Sequence, residues 1–160
     1  MQTNVSDTVG SRAGTWFRQY CYYIFGEPIS CYYYADAIED GFLVDVSETA
    51  RKAGIAFPVA ITRAAYDRYI APDPMPECQD ERGRLWDAIS MLRFAILRSG
   101  ATDRITYRVI FVMDGNGDLR DNERKHRMGG SPARLVTLKA ICGPGDDAEP
   151  MITIMMPDED

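Results

Sequence analysis

Histidine is almost absent from this chain: 160 residues contain one, His126. A histidine-based catalytic triad would have to use that residue, which stands among the cations Arg120, Arg124, Lys125 and Arg127. Burial and a carboxylate orienter both disagree with such a setting, so His126 is not assigned a catalytic role. The four cysteines, Cys21, Cys31, Cys78 and Cys142, form no CxxC pair. Structural zinc sites show paired ligands at short spacing, so zinc is not expected, and the thiols read as free groups in a reducing, cytoplasmic compartment, with a Cys21–Cys31 bridge as the lesser alternative. No apolar run approaches the roughly 18 residues of a membrane span. The N-terminal MQTNVSDTVGSRAG has neither the basic start nor the apolar stretch of a signal peptide. Cationic excess is also missing: the net charge is −6. That argues against sequence-independent binding to phosphate backbones and makes direct nucleic-acid binding an unfavoured expectation.

Charge is instead segregated. Residues 120–139 carry six basic and two acidic groups, whereas residues 140–160 carry six acidic groups and no basic one. Aromatics are segregated too. Trp16, Phe17, Tyr20, Tyr22, Tyr23, Phe25, Tyr32, Tyr33 and Tyr34 supply nine of the 17. Such a cluster reads as core lining or as a partner-binding surface, since Tyr and Trp give large contact area at low entropic cost. A base-stacking platform would want more cations than Arg12 and Arg18 nearby.

Residues 1–14 are small and polar and predict a flexible tail, leaving 15–160 as a single domain. Ala35–Asp40 reads as one helical turn stopped by Gly41, followed by an extended Phe42-Leu43-Val44. Asp45 reads as an N-cap, with Glu48 as the acid of a capping box, for a helix to about Ala53 ended by Gly54. Pro58 can open a second helix over Val59–Ile70. The longest helix runs from about Asp80 to Arg98. Leu85, Ile89, Leu92 and Ile96 make one stripe, which Trp86, Met91, Phe94 and Leu97 widen until the helix reads as enclosed on more than one side. The period then changes to two. Ile105–Met113, Leu135–Cys142 and Met151–Met156 read as strands, with a reversal at Gly143-Pro144-Gly145-Asp146-Asp147. The fold class is α+β: a three-stranded antiparallel C-terminal meander packed on a long central helix, with shorter N-terminal helices.

Three constellations invite chemistry. Asp114, Asn116 and Asp118 match positions 1, 3 and 5 of a calcium loop, but Leu119 replaces the glycine of position 6 and Lys125 the glutamate of position 12. The 114–134 connection therefore reads as a long basic hairpin loop. The acids Asp146, Asp147 and Glu149 are separated from Asp158, Glu159 and Asp160 by a strand of roughly 20 Å, too far to share a metal ion. A segment over 46–70, with Ala50, Gly54 and Ile61 at the crossing, resembles a helix-turn-helix, with Arg63 and Arg68 as base readers and Arg124, Lys125 and Arg127 of the basic loop as helpers.

Taken together, the phrases Asp40–Ser47, Gln79–Asp87, Val136–Asp147 and Ile152–Asp160 resemble an uncharacterised family of short bacterial proteins often carried on plasmids and phages. The resemblance implies an accessory gene of a mobile element and transfers no activity, cofactor or catalytic residue. The expected function is non-enzymatic: binding a host protein or protein–nucleic-acid complex, as an inhibitor of a host defence system of the anti-restriction or anti-CRISPR type. Tyr32, Tyr33 and Tyr34 would be anchors, and Asp146, Asp147, Glu149, Asp158, Glu159 and Asp160 would supply charge complementary to a basic channel. The alternatives are a DNA-binding regulator using 46–70 and a metal-dependent hydrolase using Asp146, Asp147 and nearby acids.

Overall fold

The computed structural model describes residues 34–160 apart from 74, 77–78, 114–119, 121, 129–130, 147–148 and 160, and only the backbone of 126–128 and 131–132. Within it, six strands form one mixed sheet in the order β1–β2–β6–β5–β3, with β4 also paired to β5. This corrects the expected three-stranded antiparallel meander: the three period-two strands are present, but as the antiparallel part of a six-stranded sheet with mixed pairing. β3 (Arg104–Val112) pairs antiparallel with β5 (Ser131–Pro144), Tyr107 opposite Leu138. β5 pairs antiparallel with β6 (Pro150–Met155), Cys142 opposite Ile152. Three further strands enlarge that meander. β2 (Val59–Thr62) lies parallel to β6 with Ile61 opposite Ile154, and β1 (Leu43–Asp45) closes the far edge antiparallel to β2.

β4 (Glu123–Met128) corrects the reading of 114–134 as loop. It pairs with the first part of β5, Glu123 opposite Val136 and Met128 opposite Ser131. β3 already occupies one side of β5 at these positions, so β4 and β6 share the other side, end to end.

The strand β2 is the larger correction. The expected helix over Val59–Ile70 is replaced by strand over its first four residues: Val59, Ala60 and Ile61 are wholly buried between β1 and β6. A strand covered on both faces wants a continuous apolar run, and Val-Ala-Ile-Thr supplies it. Helix begins only at α3 (Arg63–Ala65), with the Thr62 hydroxyl accepting from the Ala65 N–H, and widens at once into a π-helical turn, Tyr66–Ile70. No second helix follows α2 (Ser47–Lys52) at the required place, which removes the helix-turn-helix geometry.

Local chemistry explains the ends of α2. The N-cap position falls to Val46 rather than to the expected Asp45, and the Asp45 carboxylate, one residue earlier, accepts from the Ser47 N–H at 2.9 Å and from its hydroxyl at 2.5 Å. Glu48 does not close a capping box; it takes Lys52 one turn on, at 2.5 Å. Gly54 terminates the helix with φ +88°, a conformation that disfavours a Cβ.

The long helix α4 (Glu81–Ser99) is capped by Asp80, whose carboxylate accepts from the Gly83 N–H at 2.8 Å. Ala88, Ile89 and Leu92 are fully buried against Val109 and Phe111 of β3, Val136 and Leu138 of β5 and Ile154 of β6. Burial of each large side chain contributes about 1.5–3 kcal/mol, which fixes α4 on one face of the sheet. The helix is not enclosed, however. Among the described residues, Trp86, Met91, Phe94 and Leu97 are 45%, 40%, 56% and 66% exposed.

Candidate functional site

Buried ionisable groups gather where the π-helical turn meets β4 and β5. Glu123, 4% exposed, accepts from Arg68 at 2.5 Å, from Arg134 at 2.6 Å and from the Tyr69 hydroxyl at 3.0 Å. Burial pushes the Glu123 carboxyl up, but the hydrogen bonds from Arg68, Arg134 and Tyr69 outweigh it and hold the group below the ordinary carboxylate range. Tyr69 stacks on Phe111 with centroids 6.0 Å apart, and the Arg84 guanidinium lies 4.7 Å from the Phe111 centroid. Arg84 also donates to the carbonyls of Tyr69 and Val112 and to Gln79. Both Glu123 oxygens are occupied and the group stays ionised, so it has no proton to give. The cluster clamps the π turn and β4 onto the sheet. This is where Arg68 is spent: the residue proposed as a base reader is a partner of Glu123. Arg63 likewise donates to the Gly41 carbonyl at 3.1 Å and lies 3.6 Å from Asp67.

The acids and tyrosines singled out as partner contacts fall into separate places. The structure brings Tyr34 and Asp146 together, 112 positions apart in sequence. The Asp146 carboxylate accepts from the backbone N–H of Tyr34 at 2.5 Å and of Ala35 at 2.9 Å, capping α1 (Tyr34–Glu39). Burial, with Asp45 and Asp146 nearby, pushes the Tyr34 hydroxyl up to about 12. At the other end of β6, the Glu159 carboxylate accepts from the Met156 N–H at 2.6 Å and the Thr62 hydroxyl at 3.0 Å. Lys139 donates to the Pro157 and Glu159 carbonyls. Asp158 lies exposed beside Arg120, and Glu149 is exposed in the β5–β6 turn, its carbonyl accepting from Gly145. Arg124 and Lys125 are exposed on β4, and Arg127 lies on the same strand. Tyr32, Tyr33, Asp147 and Asp160 lie outside the described residues, as do the 114–118 loop and three of the cysteines. No group of three or more His, Cys, Asp or Glu among the described residues is arranged to hold a metal ion.

Two surface features were not anticipated. One is the solvent face of α4, where Trp86 and Leu97 fall on one stripe and Met91 and Phe94 on the next. The signal was in the sequence, as apolar residues on both sides of the helical wheel; only the presence of a single sheet face decides which side is covered. Between this face and β3 runs an open groove lined by Met91, Phe94, Ala95 and Arg98 and by Arg104 to Arg108. The other feature is a cavity of about 240 Å³ between the Gly54–Phe57 loop, α4 and the sheet, lined mainly by apolar groups and reached by Cys142. Burial, then the charge of Asp103, pushes the Cys142 thiol up, which suppresses the thiolate.

A family of unknown function, DUF6573, matches residues 21–160. The chain belongs to the DUF6573 family. Neither a curated protein nor a solved structure matches the chain. The DUF6573 match takes in every described element, including α4 and the whole sheet. Among the described residues of this DUF6573 protein, no helix is long and apolar enough to cross a membrane.

Proposed function

We propose that this DUF6573 protein is a non-enzymatic accessory protein of a mobile genetic element. It docks on a host macromolecule, a protein or protein–nucleic-acid complex, and inhibits a host defence system. The observation that carries the binding role is the solvent face of α4. Four large apolar side chains, Trp86, Met91, Phe94 and Leu97, stand exposed on a helix whose other face is firmly packed. Several large apolar groups exposed on one helix face mark an interaction site, and Trp, Phe and Met are the residues enriched in such sites. A net charge of −6 supports steering toward a basic partner elsewhere on the surface. The buried polar centre at Glu123 is better explained as structural, because its acceptors are already filled.

Site-specific photocrosslinking tests this. With a benzophenone amino acid at position 94, the full chain expressed in a bacterial host should crosslink to one host component in near-stoichiometric amount. The crosslink should vanish in Trp86→Glu/Leu97→Glu while the melting temperature holds. No crosslink above that from a probe at exposed Arg82, or a crosslink that survives the double substitution, would refute docking through α4.

A further inference from the structure

β3 is the outer strand of the sheet, and its hydrogen-bond pattern is legible. The Cys142 N–H donates to the Asp103 carbonyl, and the Thr137 N–H donates to Asn122 on the β4 side rather than to β3. In an antiparallel ladder, bonded and non-bonded pairs alternate. Tyr107, Val109 and Phe111 therefore bond to β5, while Arg104, Thr106, Arg108, Ile110 and Val112 direct their backbone groups away from it. The ends of that row are occupied. Val112 donates to Gln79 and accepts from Arg84, and the Arg104 N–H donates to Thr102. Thr106, Arg108 and Ile110 remain, with no hydrogen bond on that side among the described residues. Sheet edges of this length are normally covered or blunted, because they template further strand pairing.

We infer that the β3 edge is a strand-addition site for an extended partner segment in which apolar residues alternate with acidic ones. The inference rests on the binding-protein reading and names the partner chemistry of the same region. A strand laid along Thr106–Ile110 covers about 13 Å and directs successive side chains to opposite faces. Those on the helix side enter the groove beside Met91, Phe94 and Ala95 and take apolar groups. Those on the other face, to which the strand alternation assigns Arg104 and Arg108 opposite the buried Tyr107 and Val109, meet these two exposed arginines, which form no ion pair among the described residues, and take carboxylates. Tyr107 lines the same groove, and its buried hydroxyl has no hydrogen-bond partner among the described residues. A second copy of this chain fits less well: a two-fold pairing centred on Arg108 sets like charges directly opposite each other. Nor does the segment before α1 supply the pattern, since Asp7 and Glu27 are its only acids.

The test uses the full chain and an acetylated nonapeptide alternating Glu with Val or Phe. Expected are saturable binding by fluorescence anisotropy and at least tenfold slower hydrogen exchange at the Thr106, Arg108 and Ile110 amides on binding. Arg104→Glu/Arg108→Glu should weaken binding at least tenfold, as should the same peptide with Lys for Glu. Arg108→Pro, which removes an edge donor without touching the β5 ladder, should abolish it; if that variant fails to fold, the charge-reversal pair carries the test. Binding that leaves the three amides unprotected, equal affinity for the lysine peptide, or protection that rises with protein concentration in the absence of peptide would each overturn strand addition. Any of these with the position-94 crosslink intact leaves α4 docking standing, so the two readings fail separately.

Discussion

Replacing Glu123 with Gln probes the polar clamp that ties the π turn to the sheet. The substitution keeps the side-chain volume, removes the charge, and turns an N–H donor toward Arg68, Arg134 and the Tyr69 hydroxyl, which in the native protein all donate to the carboxylate. Glu123 is 4% and Arg134 6% exposed, so water cannot replace what is lost. Hydrogen bonds to a charged group contribute about 1.5–3 kcal/mol each, and breaking one side of a buried ion pair costs about 3–5 kcal/mol. Because the contacts share one acceptor group, they do not add, and a loss of about 3–5 kcal/mol is expected. That is a large fraction of the roughly 5–15 kcal/mol that stabilises an ordinary domain. At about 2–4 °C per kcal/mol for a chain of this size, Tm should fall by roughly 6–20 °C. Urea unfolding followed by helical circular dichroism at pH 7 measures it directly. The pH dependence supplies a second readout. Since the folded-state pKa of Glu123 is depressed, its contribution is present in full above roughly pH 5 and is lost as the pH falls through the folded value. The gap between native protein and Glu123→Gln should therefore narrow on acidification. A loss under about 1 kcal/mol at pH 7 would show that the clamp is not closed in solution and would refute the argument.

Other substitutions address individual elements. Ala60→Pro separates strand from helix at this position: near the start of a helix opened by Pro58 it would be tolerated, but between β1 and β6 it removes a ladder donor and should cost about 3 kcal/mol or more, read as loss of cooperative unfolding at 37 °C. Gly54→Ala should cost about 1–2 kcal/mol by denaturant titration, because the residue has φ +88° and a new Cβ would sit 3.1 Å from Arg93 Nε; an unchanged midpoint would contradict the assigned backbone. Cys142 should react with a thiol reagent at pH 8 at least about tenfold more slowly in the folded protein than in urea, by peptide mapping, since burial and Asp103 disfavour its thiolate; equal rates would refute that placement.

Much of the local structure was readable before any coordinates. The Asp80-capped helix, the Asp45–Ser47 bond and the Gly54 stop rest on interactions within a few residues, and the three long strands announce themselves by their period of two, all of which residue type and spacing specify directly. Val59–Thr62 was misread because Pro58 followed by Val-Ala-Ile-Thr satisfies a helix start and a buried strand alike. The choice lies with β1 and β6, whose paired residues stand 15 or more and about 90 positions away. The sequence reads Asp146 and Glu159 as partner-contact charges because their acceptor roles, capping Tyr34 and holding Thr62, join segments 112 and 97 positions apart. The apolar residues of α4 announced a strongly hydrophobic helix, but a wheel carries no information about how many faces will find a neighbour. Composition and period therefore specified which segments could bury themselves. Long-range pairing settled which did, because a strand's partners and a carboxylate's donors are properties of the assembled sheet, and, among the described residues, left one helix face and one strand edge uncovered.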